Sequence, residues 1–367
     1  MISYGHQFID EDDLRAVLNV LRSDWLTQGP KVEEFEKKLA EYCGVKYAVV
    51  CCHGTSALHL AYLAAGLKSA DEVITTPNTF VATTNMLLAV GAKPVFCDIR
   101  LDTYNIDESK IEDLITDKTK AIVPVHFAGQ PCEMDEILSI AKKHNLLVIE
   151  DACHALGAKY HNQKIGSLSD MSVFSFHPIK TITTGEGGAI LTDNENYYQR
   201  LILLRSHGVN KNEQGKNVMT ELGYNYRLTD IGAALGISQL KKIDNFISKR
   251  HKLVKLYENN LKDNLEIILP HEFEHNYSSW HLYVIRVKDA SRKNNLASYL
   301  KENGVGINFH YQPVYSQPYY QDNGYKDTVC QISESYFEAA ITLPLHPLLT
   351  VEEVNFICDK IKSFFNK

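Results

Sequence analysis

Between about residues 30 and 200, uninterrupted apolar runs alternate with helical patterns, and this leaves few folds open to the chain. The runs YAVVCC (47–52), DEVITTP (71–77), KPVFCDI (93–99), AIVPVH (121–126) and LLVIED (146–151) are separated by stretches such as SALHLAYLAAGL (56–67), VATTNMLLAV (81–90) and MDEILSIAKKHN (134–145). Apolarity that does not alternate residue by residue marks strands buried on both faces, as in a parallel sheet covered by helices. Strand and helix in turn at this spacing predict an α/β architecture. GGAILTD (187–193) predicts a further strand, and residues 234–263 one long helical stretch that bridges two domains. Beyond it, SWHLYVIRV (279–287), NLASYLKENG (295–304) and VEEVNFICDKIKSFF (351–365) predict a smaller α+β unit. The 367 residues suit two domains: a large α/β domain with an N-terminal arm over 1–245, and a small C-terminal α+β domain over 246–367.

Charge and composition narrow the function. The net charge is −7 and no block of five or six basic residues occurs, so a nucleic-acid partner has no electrostatic footprint. No stretch approaches the roughly 18 apolar residues of a membrane helix, and the start, MISYGHQFIDEDD, has neither the basic flank nor the apolar core of a signal peptide. The eight cysteines are scattered without a C-x-x-C, which reads as reduced thiols in a cytoplasmic protein. The fifteen histidines show no clustered ligand spacing, so no metal is expected.

The chemistry concentrates around Lys180. Asp151 closes the LLVIED run, and Lys180 follows between the serine-bearing run FSF (174–176) and the glycine-rich turn TTGEGG (183–188). Pyridoxal 5′-phosphate chemistry needs this pair. The amine forms a Schiff base with the cofactor aldehyde, and the carboxylate keeps the pyridine nitrogen protonated so that the ring acts as an electron sink. A lysine alone carries little weight, because most are solvated surface charges; the neighbours carry it. Gly54, Thr55 and Ser56 follow a buried strand and open a helix, which is a natural phosphate seat and equally an ordinary glycine turn with a Thr/Ser cap. Its place at the end of a parallel strand favours the seat. Ser175 would add a hydroxyl to the phosphate. His154 would reach the cofactor's phenolic oxygen or sit as a satisfied core histidine, and Phe80 would stack on the ring or pack in the core.

Taken together, these residues resemble the aspartate-aminotransferase fold type (type I of the PLP-dependent transferases), and within it the DegT/DnrJ/EryC1/StrS family of nucleotide-sugar aminotransferases. WLTQGPKVEEFE (25–36), GTSALHLA (54–61), TTPNTFVAT (75–83), EDACHALGA (150–158), FSFHPIKTITTGEGG (174–188), LRSHGV (204–209), YNYRLTDIGAALGISQL (224–240), HYQPVY (310–315) and LPLHP (343–347) stand in the family's order along the whole chain. The resemblance implies Lys180 as the Schiff-base lysine and Asp151 as the pyridinium partner, with pyridoxamine phosphate carrying the amine between half-reactions. It implies phosphate contacts from Thr55, Ser56 and Ser175, and Asn225 offered across a homodimer with two shared active sites. Within the family, the likeness to members of pseudaminic acid biosynthesis implies amination at C4 of a UDP-linked 4-keto-6-deoxy-N-acetylhexosamine by L-glutamate. Tyr4, the Asp24, Trp25, Leu26 and Thr27 stretch, Arg227, and His310, Tyr311, Gln312, Pro313 and Tyr315 are then the expected substrate side, with Arg227 and His310 facing the diphosphate. C4 or C3 amination of another nucleotide keto-sugar stays open. A pyridoxamine-dependent dehydratase would carry histidine in place of Lys180, and a non-catalytic regulator would need a basic face or appended module that this chain lacks.

Overall fold

The computed structural model describes residues 1–366. Seven strands form one sheet: β1 (Tyr47–Cys51), β2 (Glu72–Thr75), β3 (Lys93–Phe96), β4 (Thr119–Val123), β5 (Leu147–Asp151), β6 (Met171–Ser175) and β7 (Gly188–Thr192). Their order is β1-β7-β6-β5-β4-β2-β3. β2 through β6 pair in parallel, whereas β7 runs antiparallel to both neighbours, with Val49 opposite Ile190 and Ser175 opposite Gly188. Successive strand residues feed two different cores, which is why the runs are apolar throughout. Val50, Ile74, Ile122 and Phe174 face the helices α2 (Pro30–Cys43), α5 (Met134–His144) and α7 (Asp230–Leu240). Val49, Val73, Ala121 and Val173 face α3 (Gly54–Ala64), α4 (Ala82–Ala89) and α6 (Glu195–Arg205).

The stretch 234–263, expected as one helix, is two: α7 and α8 (Ile243–Leu261), with the break at Lys241 and Lys242. The reason lies in burial. α7 is buried nearly all round, while α8 buries a stripe that gives Ile243, Phe246 and Ile247 to the first core and Leu253, Val254, Tyr257 and Leu261 to another. That other core is a three-stranded antiparallel sheet of Ile267–Ile268, Tyr283–Val287 and Ala340–Leu343, covered by the helices Lys293–Glu302 and Val351–Phe365. The expected strand at 279–287 begins only at Tyr283. Before it, Ser279 and Leu282 donate their N–H groups to the carbonyls of Gly129 and Ala128 (3.1 and 3.3 Å), which turns this segment toward the large sheet. Among the described residues, no helix is long and apolar enough to cross a membrane.

Candidate active site

The strand ends of the large sheet open into a cavity of about 1010 Å³, at the edge where α/β proteins bind ligands. Leaving β1, the chain enters α3 at Gly54. A Cβ there would stand 2.8 Å from Ser175 Cβ, so the close approach of these two strand ends requires glycine. His53 is the N-cap: its Nδ1 accepts the Ser56 N–H at 2.9 Å, and the Ser56 hydroxyl accepts the His53 N–H at 3.2 Å. The N–H groups of Gly54 and Thr55 have no partner among the described residues, and Gly54, Thr55 and Ser175 line the cavity. Ser56 does not. Its hydroxyl is spent inside the cap, donating to the His53 carbonyl at 2.7 Å, so its expected phosphate contact is corrected to a structural role.

Asp151 ends β5 and is 5% exposed. Oδ2 accepts from the Thr83 hydroxyl at 2.6 Å and Oδ1 from the Cys153 N–H at 3.2 Å. Among the described residues it makes no ion pair, which leaves a buried carboxylate without the cation it needs. Lys180 follows β6 on the same cavity, and burial holds its amine below the usual lysine range, opposed by Cys153 and Asp151. An unpaired carboxylate, a lysine of lowered basicity and two unspent helix N–H groups form a donor and acceptor set that fits a phosphorylated pyridine aldehyde.

The facing wall comes from residues 308–312 and Phe337, with Tyr4 and Phe80 at the cavity as well. Tyr311 stacks on His154 (centroids 6.2 Å apart, 27°), and its hydroxyl lies 3.3 Å from His154 Nε2. Because His154 Nδ1 accepts the Ala128 N–H (3.3 Å), Nε2 is the protonated nitrogen and donates to the tyrosine oxygen. His154, expected to reach a cofactor oxygen, lines the cavity with its Nε2–H directed to Tyr311. Burial, with Lys180 nearby, holds His154 far below the usual histidine range. Burial likewise pushes His310 down to about 3, and its Nδ1 lies 2.8 Å from the Thr342 hydroxyl. His310 is therefore neutral at physiological pH and is corrected as a cationic partner for a diphosphate.

Gln312 lines the cavity, but Pro313 and Tyr315 do not. Tyr315 is 2% exposed, donates to Glu334 at 2.6 Å and packs edge-on against Phe96, so it is a core residue rather than a substrate contact; Pro313 is buried beside it. Asp24, Trp25, Leu26, Thr27, Asn225 and Arg227 also lie outside the cavity of their own chain. Thr27 bridges to Thr229 and Asn225 to Ser206, Trp25 is 55% exposed, and Arg227 Nε is buried without a partner among the described residues. Sequence reasoning missed His53, Cys153, Glu186, Asn308, Phe309, Gln317 and Phe337, all lining the cavity. Thr83 was within reach of it, since it closes the TTPNTFVAT run.

Residues 7–362 match the DegT/DnrJ/EryC1/StrS aminotransferase family. A UDP-4-amino-4,6-dideoxy-N-acetyl-beta-L-altrosamine transaminase of Campylobacter jejuni is 42% identical, over 100% of this chain and 98% of that protein. The structure of Helicobacter pylori PseC, an aminotransferase involved in the biosynthesis of pseudoaminic acid, superposes with a TM-score of 0.96 at 39% identity, covering 100% of this chain and 99% of that one. The PLP form of Spr1654 from Streptococcus pneumoniae superposes at 0.94 with 32% identity, covering 99% and 98%.

Proposed function

The chain belongs to the DegT/DnrJ/EryC1/StrS aminotransferase family and is a PLP-dependent sugar aminotransferase, and on that premise we propose that it moves the amino group of L-glutamate to C4 of a UDP-linked 4-keto-6-deoxy-N-acetylhexosamine. The product would be UDP-4-amino-4,6-dideoxy-N-acetyl-β-L-altrosamine, for pseudaminic acid biosynthesis. The observation that carries the reading is the buried Asp151 carboxylate, without a cation of its own, on the same cavity as Lys180. When bound, the cofactor supplies an electron sink and a carrier for the amine. Asp151 holds a proton on the pyridine nitrogen, and Thr83 keeps Oδ2 of that carboxylate in place. Gly54 and Thr55 N–H groups and the Ser175 hydroxyl hold the phosphate. Lys180 Nζ, whose lowered basicity leaves more of it neutral, takes the proton from the donor's Cα. Phe80, Tyr311 and Gln312 border the acceptor and exclude water.

The active form in this reading is a homodimer with shared sites, located in the cytoplasm. Lys180 is the single lysine or arginine among the residues lining the cavity, and burial holds His154 and His310 there neutral. A cofactor phosphate together with the two glutamate carboxylates, or in the second half-reaction with a nucleotide diphosphate, needs more positive charge than that. Asn225 and Arg227, which miss their own chain's cavity, are the groups a second copy would bring, and the unpartnered Arg227 Nε supports this. Eight free cysteines support a reducing compartment. The test is the absorbance of the cofactor-loaded enzyme. L-glutamate should bleach the lysine-bound band, and the UDP-4-keto-6-deoxy-N-acetylhexosamine should restore it. Bleaching without restoration by this sugar would refute the acceptor while leaving the donor half-reaction intact.

A further inference from the structure

His53 has a place in the site that its role as a helix cap does not exhaust. Its Nδ1 accepts the Ser56 N–H at 2.9 Å, and a backbone N–H can only donate. The ring is therefore the neutral tautomer with its hydrogen on Nε2. That Nε2 has no partner among the described residues, although the ring lines the cavity. The cap thus satisfies the Ser56 N–H of α3 with one ring nitrogen and leaves the other, an N–H, on a ring that borders the cavity. The neighbouring groups can all donate as well: the unspent N–H groups of Gly54 and Thr55, and the hydroxyls of Thr55 and Ser175, the latter also accepting the His177 N–H at 3.4 Å. Unspent N–H groups and rotatable hydroxyls at the positive end of a helix suit an oxyanion.

We propose that His53 Nε2–H is a direct hydrogen-bond donor to the cofactor's phosphate, held in register by its own N-cap bond. The inference rests on the PLP reading of the cavity and adds to it a phosphate ligand outside the Gly54, Thr55 and Ser175 set. An alternative oxyanion at the same mouth is the diphosphate of the nucleotide sugar; the seat shared with Gly54 and Thr55 favours the cofactor.

The experiment uses His53→Asn, because asparagine is a strong N-cap that still accepts the Ser56 N–H but carries nothing at the Nε2 position. Equilibrium binding of PLP and of unphosphorylated pyridoxal to the apo-enzyme is measured for the wild type and this variant, with thermal melting as the fold control. The expected result is a PLP Kd weakened by roughly ten-fold or more, as for a lost bond to a charged group, with the pyridoxal Kd and the melting temperature unchanged. His53→Ala should weaken PLP to the same degree and also melt earlier, separating the cap from the ligand. Equal weakening of PLP and pyridoxal, no weakening of either, or a change confined to KM for the nucleotide sugar would each overturn the proposal. A wild-type protein that binds no PLP would instead bring down the cofactor reading beneath it.

Discussion

The two walls of the cavity hold their groups by different means. On the strand-end wall, position comes from the main chain: Asp151 is itself a strand residue, His53 is fixed by the helix it caps, and Lys180 stands in the turn that follows β6. The facing wall is held by side chains, with the Tyr311 N–H on Asn78 Oδ1 (3.2 Å), His310 on the Thr342 hydroxyl (2.8 Å) and the Tyr311 hydroxyl on His154 (3.3 Å). Their electrostatics differ in the same sense. One wall carries the ionisable lysine and the unpaired carboxylate, while the other is aromatic and neutral, its histidine pushed down to about 3 by burial. The carboxylate is placed on a strand of the large sheet, which suits holding a proton at a fixed atom. The neutral wall can re-pack around an uncharged sugar ring without exposing a buried ion.

If this division is right, the largest effects lie on the strand-end wall. Lys180→Ala should reduce turnover by roughly 10⁴-fold or more and abolish the absorbance of lysine-bound cofactor; steady-state transamination that persists in this variant would break the assignment. Asp151→Asn comes next. It keeps shape and the Thr83 contact but removes the charge, and should slow the single-turnover reaction with glutamate by about 10²–10³-fold, the range for breaking a buried charge pair. A rate near that of the wild type would show that Asp151 faces no cation. Tyr311→Phe sharpens the contrast from the other side. Loss of one neutral hydrogen bond should raise KM for the sugar by roughly 2- to 10-fold and leave the glutamate half-reaction nearly untouched. Equal losses in both half-reactions would erase the distinction between the walls.

The same contrast explains what could be read from the sequence. Asp151 stands at the end of a buried run, and a strand end is legible because apolarity stops there; Lys180 was legible from its place between the FSF run and the glycine-rich turn, and both line the cavity. The parallel sheet was legible for that reason too, but the antiparallel direction of β7 was not, since GGAILTD has the same composition whichever way it runs. The break at Lys241 and Lys242 has no glycine or proline to announce it; the available signal was the change from a helix buried all round to one with a stripe. Ser56 and Thr55 look alike in sequence, and only the cap geometry sends one hydroxyl inward. His310 was expected as a cation, but a histidine's charge is set by its burial. Tyr315 shows how side-chain-held walls hide from pattern reading: neighbours in HYQPVY line the cavity or join the Phe96 cluster with no periodicity to tell them apart.

The smallest effect concerns what supports the charged wall from behind. Glu150, one residue before Asp151 on β5, is fully buried. His126 Nδ1 accepts the Cys132 N–H (3.0 Å), so its Nε2 donates to Glu150 Oε2 at 2.6 Å, while Ser169 and Ser172 hydroxyls donate to Oε1 at 2.6 and 2.7 Å. Burial works to raise this carboxyl's pKa, but the bonds from His126, Ser169 and Ser172 outweigh it and hold it below the ordinary value of 4.5. A depressed native pKa means the unfolded chain binds the proton more readily. The resulting stability is complete above about pH 4.5 and is lost as pH falls through the lower native value. Melting temperature should therefore be insensitive to this group near neutrality and fall on its acid limb. Glu150→Gln should melt lower at pH 7 and show a flatter acid limb, because the glutamine has no carboxyl to protonate. An acid limb as steep in the variant as in the wild type would assign the loss to other carboxylates and leave the strand-end wall without this buried support.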